Sequence, residues 1–188
     1  IGSIHIQTGQ WEESLKYFSK ALEISPNSSR LHYLLGWAYE NKEETSRAIE
    51  EYKKAIQLNP EAVEAYSNLG WLYVDQGKND EALVVFEKAA ELKPDDVGLL
   101  NNLGWAYTNL GKYEEALAEY RKGMKIQPSS AMLHNNIGIV YYHLKRYEEA
   151  MRELKKAWEL EPESQAAVYA HYYMGVIYQN EKQYDFAV

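Results

Sequence analysis

Five prolines stand at positions 26, 60, 94, 128 and 162, each 34 residues after the last, and they are all the prolines the chain has. A period kept that strictly means that the chain repeats one supersecondary unit, and it marks where each copy ends. Glycine keeps the same beat at Gly2, Gly36, Gly70, Gly104 and Gly138, then arrives three residues late at Gly175. An insertion therefore lies between Pro162 and Gly175.

Other positions share the phase. Three residues after the glycines from Gly36 onward comes a tyrosine (Tyr39, Tyr73, Tyr107, Tyr141, Tyr178), and twelve after them an alanine (Ala48, Ala82, Ala116, Ala150, Ala187). Tyr52, Phe86, Tyr120 and Leu154 follow four residues later, and Ala55, Ala89, Gly123 and Ala157 three beyond those. In "TSRAIEEYKKAIQL" (45–58) Ala48, Ile49, Tyr52, Ala55 and Ile56 fall on one face of a helix, with Glu50 and Lys54 paired on the other side. Gly77 and Gly111 suit a left-handed turn between paired helices, and proline suits the point where a second helix has ended. Glycines and alanines let the helices approach closely while the tyrosines fill the spaces between. No unit can bury its apolar face alone, so the units must stack.

These small, aromatic and proline positions resemble the tetratricopeptide repeat family, a helix–turn–helix unit of 34 residues, and the resemblance covers essentially the whole chain. It implies an all-α fold, a right-handed superhelical solenoid in one domain spanning 1–188. Full repeats are expected at 29–62, 63–96, 97–130 and 131–164, with partial ones at 1–28 and 165–188. Residue 1 would fall near the middle of a first helix and Val188 in the first turns of a second. Neither end has the polar cap that a solenoid needs, so the expectation is a fragment of a longer chain, or one whose ends are not seen.

Composition narrows the function. With 188 residues and 46% apolar content the chain can build a core, and its net charge of -8 argues against nucleic acid, which binds clustered Lys and Arg. The absence of cysteine excludes disulfides, thiolate-bound zinc and a thiol nucleophile. Apolar runs such as "ALVVF" (82–86) are far below the roughly 20 residues that span a bilayer, so no membrane insertion is expected. The first residues lack a secretory layout, which leaves localisation open.

The most telling residues are the tryptophans of "LGWAY" (35–39), "LGWLY" (69–73) and "LGWAY" (103–107). At 100° per residue, Trp37 shares a stripe of the first helix with Arg30, Tyr33, Leu34, Glu40 and Asn41, opposite Leu35 and Tyr39. Trp71 lies among Glu64, Ser67, Asn68, Val74 and Asp75, and Trp105 among Gly98, Asn101, Asn102, Thr108 and Asn109. The next stripe holds Met132, Asn135, Asn136, Ile139, Tyr142 and His143, and the last holds Tyr169, Tyr172, Tyr173, Val176, Gln179 and Asn180. The insertion near "SQAAVYAHYY" would add most of a turn to that last first helix.

In the family that the sequence resembles, this stripe lines the concave groove where peptides bind. The resemblance therefore implies a ligand-binding set of Tyr33, Trp37, Asn41, Asn68, Trp71, Asn101, Asn102, Trp105, Asn109, Asn135, Asn136, Tyr142 and Tyr172. Tryptophan supplies rigid contact area, and asparagine pairs with peptide backbone as donor and acceptor. The alternative is that the tryptophans lean onto neighbouring repeats as packing. A Lys/Arg and Asn clamp for a terminal carboxylate is not expected, because Arg30 is the only basic residue in these stripes.

No catalytic constellation accompanies the repeats. The "GK" pairs at 77–78 and 111–112 lack phosphate-loop spacing and read as helix–helix turns. His5, His32, His134, His143 and His171 include no i, i+4 pair, and three of them recur four residues before the glycine, a packing position. Glu114 with Glu115 and Glu148 with Glu149 recur where second helices begin, where negative charge favours the helix dipole. "NSS" (27–29) fits a glycosylation sequon, which matters only in a secreted chain. The expected function is a non-catalytic interaction module without metal or cofactor, binding an extended or short helical segment of a protein partner. Two other readings stay open: a scaffold that forms homo-oligomers through uncapped ends, and a substrate-delivering arm of a larger enzyme such as a glycosyltransferase.

Overall fold

The computed structural model of the protein describes residues 11–185, with side chains through Asn180. Gly2, His5 and Ala187, and the expectations about both chain ends, lie outside the described residues. Among those residues the chain is all-α, with ten helices and no strand. They are α1 (Trp11–Ile24), α2 (Ser29–Asn41), α3 (Thr45–Leu58), α4 (Val63–Asp75), α5 (Asn79–Leu92), α6 (Val97–Asn109), α7 (Tyr113–Ile126), α8 (Ala131–His143), α9 (Tyr147–Leu160) and α10 (Gln165–Asp185). Contacts divide the chain into two compact units, 1–93 and 94–188. In the first, each helix from α1 to α5 packs on the next. In the second, α6 to α10 do the same, and first helices also meet one another, α6 with α8 and α8 with α10.

Each full repeat is closed by the same bolt. Ala48, Tyr52 and Ala55 of α3 are fully buried, as are Ala82, Phe86 and Ala89 of α5 and Ala150, Leu154 and Ala157 of α9. The large residue at the centre of each trio lies directly over the glycine of the paired first helix. A Cβ added at Gly70 would run into the Phe86 ring, one at Gly104 would come within 2.5 Å of Tyr120, and one at Gly36 within 2.7 Å of Tyr52. The repeating glycine is therefore a close-approach position, and burying each ring contributes about 1.5–3 kcal/mol.

The turns between paired helices repeat as well. Glu43, Gly77, Gly111 and Lys145 all have positive φ, between 59° and 72°. In each turn the following amide donates to the carbonyl five residues back, as Glu44 N to Tyr39 O and Arg146 N to Tyr141 O, both at 2.9 Å. This is the Schellman closure. Glycine fills the left-handed position in the two middle repeats, as expected, and a charged residue fills it in the outer two.

First helices start from polar caps. Ser28, Asp96 and Ser130 accept from the amides of Leu31, Leu99 and Leu133, and Ser164 accepts from Ala167. Each cap follows a proline by two residues. Ser164 keeps that spacing but stands eleven residues before Gly175, where the other caps stand eight before theirs. The insertion thus lies inside α10, after its cap, lengthening the helix.

Candidate functional site

In the 1–93 unit the first-helix stripe is built from paired aromatic and amide groups. Trp37 is half-buried and meets Trp11 of α1 edge-on, with ring centroids 6.0 Å apart, beside the cluster of Phe18 and Leu35. Trp71, also half-buried, meets Phe86 of its own repeat at 5.5 Å. Each indole therefore has one edge in the packing. Tyr33 leans on Tyr52 at 5.8 Å and carries the Arg30 guanidinium over its ring at 5.0 Å. Asn41 is exposed and donates to the Trp37 carbonyl of its own helix at 2.8 Å.

Asn68 donates to the Tyr52 hydroxyl of the preceding repeat at 2.9 Å, and that hydroxyl donates to the Glu40 carboxylate in a short bond. Burial pushes the Tyr52 hydroxyl up from its ordinary range, and the Glu40 carboxylate it bonds pushes it further. Burial likewise raises the Glu40 carboxyl, with the Tyr52 hydroxyl opposing that shift and Asp75 adding to it. This network joins the successive repeats at 29–62 and 63–96 through side chains that also border the stripe.

The 94–188 unit brings four of the expected residues into one cleft of about 300 Å³. Trp105 and Asn109 come from α6, and Asn135 and Asn136 from α8. Tyr169 and Tyr173 of α10 and His143 of α8 add aromatic walls, while Thr108, Ile139 and the buried Tyr120 complete the lining. The Thr108 hydroxyl bonds the Gly104 carbonyl at 2.8 Å, back into its own helix.

The amides form a chain between repeats. Asn135 donates to Asn136 at 3.2 Å, and Asn136 donates to Asn101 at 2.7 Å. Asn135 is only 4% exposed, and its Oδ1 is buried with no protein hydrogen-bond partner among the described residues. Asn101 and Asn102 are half-buried and stand outside the cleft lining. Tyr142 adjoins the cleft through Tyr173 at 5.1 Å and also meets Tyr147 and His143. Tyr172 is 64% exposed and stands perpendicular to Tyr173 at 5.3 Å.

Two buried histidines, at positions whose recurrence in the sequence marks only packing, form a paired feature. His32 Nδ1 pairs with Glu51 at 2.6 Å while its Nε2 donates to the Pro26 carbonyl at 3.2 Å. His134 repeats the arrangement with Glu153 at 2.7 Å and the Pro128 carbonyl at 3.2 Å. Each ring ties a first helix to its own second helix and to the proline turn before it. His171 differs, being exposed and bonding Ala167 O at 2.9 Å. No group of three His, Cys, Asp or Glu among the described residues could hold a metal, and no described helix is long and apolar enough to cross a membrane.

A profile of the tetratricopeptide repeat matches residues 10–135, and a second matches 131–164. The chain belongs to the tetratricopeptide repeat family. Solved tetratricopeptide structures superpose on most of it. The crystal structure of MamA is 26% identical, covers 86% of this chain and 95% of its own, and gives a TM-score of 0.79. That of YrrB, a TPR protein with an unusual peptide-binding site, is 25% identical over 90% of this chain and 88% of its own, with a TM-score of 0.78. MamA 41-end from Desulfovibrio magneticus RS-1, at 23% identity and a TM-score of 0.80 over 88% of this chain and 93% of its own, shares the fold. No curated protein sequence matches the chain.

Proposed function

We propose that the chain is a non-catalytic interaction module that holds a segment of a protein partner along the stripe of its first helices. The observation that carries this reading is the cleft at 94–188, where Trp105, Asn109, Asn135 and Asn136 converge around open volume. Half-buried Trp37 and Trp71 offer the remainder of their indole surface at the matching positions of the earlier repeats. Rigid aromatic area supplies affinity at such surfaces, and side-chain amides supply hydrogen bonds to a peptide backbone. The peptide-binding site of the similar YrrB supports the same use of the fold.

The test is a peptide selected on the immobilised chain from a random display library. Its affinity is compared with that for the triple variant Trp37→Ala, Trp71→Ala, Trp105→Ala, with helicity of both followed by circular dichroism. Loss of binding by a folded variant supports the reading, whereas unchanged affinity places the ligand elsewhere on the chain. Unfolding of the variant would assign the tryptophans to packing.

A further inference from the structure

Resting on the groove reading above, we infer that the cleft at 94–188 is a subsite for one uncharged aromatic residue of the bound segment, and that it discriminates against charged residues and proline. Three observations on this cleft point the same way. Among the described residues no Asp, Glu, Lys or Arg lines it, although the chain as a whole carries a net charge of -8. A charged side chain entering would shed water and meet no counter-charge, which is costly. An apolar aromatic ring meets no such cost.

The walls are aromatic on several sides. Trp105, Tyr169, Tyr173 and His143 belong to three different helices, and the His143 and Tyr173 rings stand at 68° to each other. A guest ring can take edge-to-face or offset-stacked positions against such walls, the geometries that aromatic pairs prefer. Tyr169 is 49% exposed, so it retains ring surface to offer.

The third observation is the amide chain and its unfinished end. Asn136 is bonded to Asn101, and Asn135 lines the cleft with a buried Oδ1 that accepts from no described protein group. Reversing all three amides would only exchange an orphan acceptor for an orphan donor at Asn135, because the chain of bonds ends there. With the bonds as they stand, the unfilled group at Asn135 is an acceptor, which calls for an N–H. The backbone amide of an aromatic residue supplies that N–H, and proline has none.

Capped single amino acids are sufficient probes for the whole chain. N-acetyl-phenylalaninamide, N-acetyl-lysinamide and N-acetyl-proline dimethylamide are titrated into the ¹⁵N-labelled protein, following the Trp105 indole and Asn135 side-chain resonances. The phenylalanine probe should shift both, with an affinity at least tenfold above either other probe. Asn135→Leu should weaken it about tenfold, and Tyr169→Ser, at a more exposed position, should weaken it without touching the buried amide. Equal response to the lysine or proline probe, or no response at Trp105, overturns the subsite. Spectra with the display-selected peptide separate this from failure of the groove. Shifts at Trp37 and Trp71 with Trp105 silent would keep the groove and remove the subsite, while silence at all three indoles would remove the groove.

Discussion

A single hydrogen atom at Gly138 decides whether α8 and α9 can close. A Cβ there would lie 2.7 Å from Leu154 Cγ and 3.2 Å from the Leu154 backbone nitrogen, so neither a rotamer change nor a small tilt makes room. Gly138→Ala should destabilise the protein by about 1–3 kcal/mol in urea unfolding, overpacking outweighing alanine's better helix propensity. Gly175 has the same place in the repeat, yet no described atom outside its immediate helix lies within 4 Å of an added Cβ. Gly175→Ala should therefore be neutral or stabilise by up to about 1 kcal/mol. At His134 the ring satisfies groups on two neighbouring segments, Glu153 and the Pro128 carbonyl, and His134→Ala should cost about 1–3 kcal/mol in the same measurement. The histidine clips were within reach of the sequence, because Glu51 and Glu153 stand in the same phase three repeats apart, each 19 residues after its histidine. That signal requires comparing which pairs change together between repeats. Looking for i, i+4 pairs misses it.

At the scale of the element, repeats differ where local geometry is least well served. Glu43 and Lys145 occupy a left-handed turn that glycine occupies at Gly77 and Gly111. Exchanging Lys145 for glycine should raise stability by about 1 kcal/mol, since the Schellman turn is kept and the Cβ penalty removed. Helix α4 alone among the described first helices of full repeats starts from a residue without a capping side chain, Ala62. Ala62→Asp should add about 1 kcal/mol, read from the urea midpoint at constant slope. Helix pairing, turn positions and the buried trios were all legible from the 34-residue phase, because each depends on one residue type recurring in one place. The tryptophan orientation was only half legible. A helical wheel puts Trp37 and Trp71 away from the core, but it contains no neighbouring helix, and the contacts to Trp11 and Phe86 depend on how helices stack. For the same reason, Tyr120 reads as core from its phase, while the structure has it both buried and in the lining of the 94–188 cleft.

For the molecule as a whole, the proposed binding face is carried by the first helices, and the second helices and turns supply the scaffold. Every full repeat spends its large second-helix residue and paired glycine on closing the helix pair, leaving the first-helix stripe to carry half-buried aromatics and amides. Single substitutions in the stripe should then lower affinity by several-fold each, with larger losses at the tryptophans. Hydrogen-exchange mass spectrometry of the chain with and without the display-selected peptide tests this most directly. Slowed exchange is expected to concentrate in 29–41, 63–75, 97–109 and 131–143, with the second helices little changed. Protection confined to the second helices at 45–58, 79–92, 113–126 and 147–160 would contradict it.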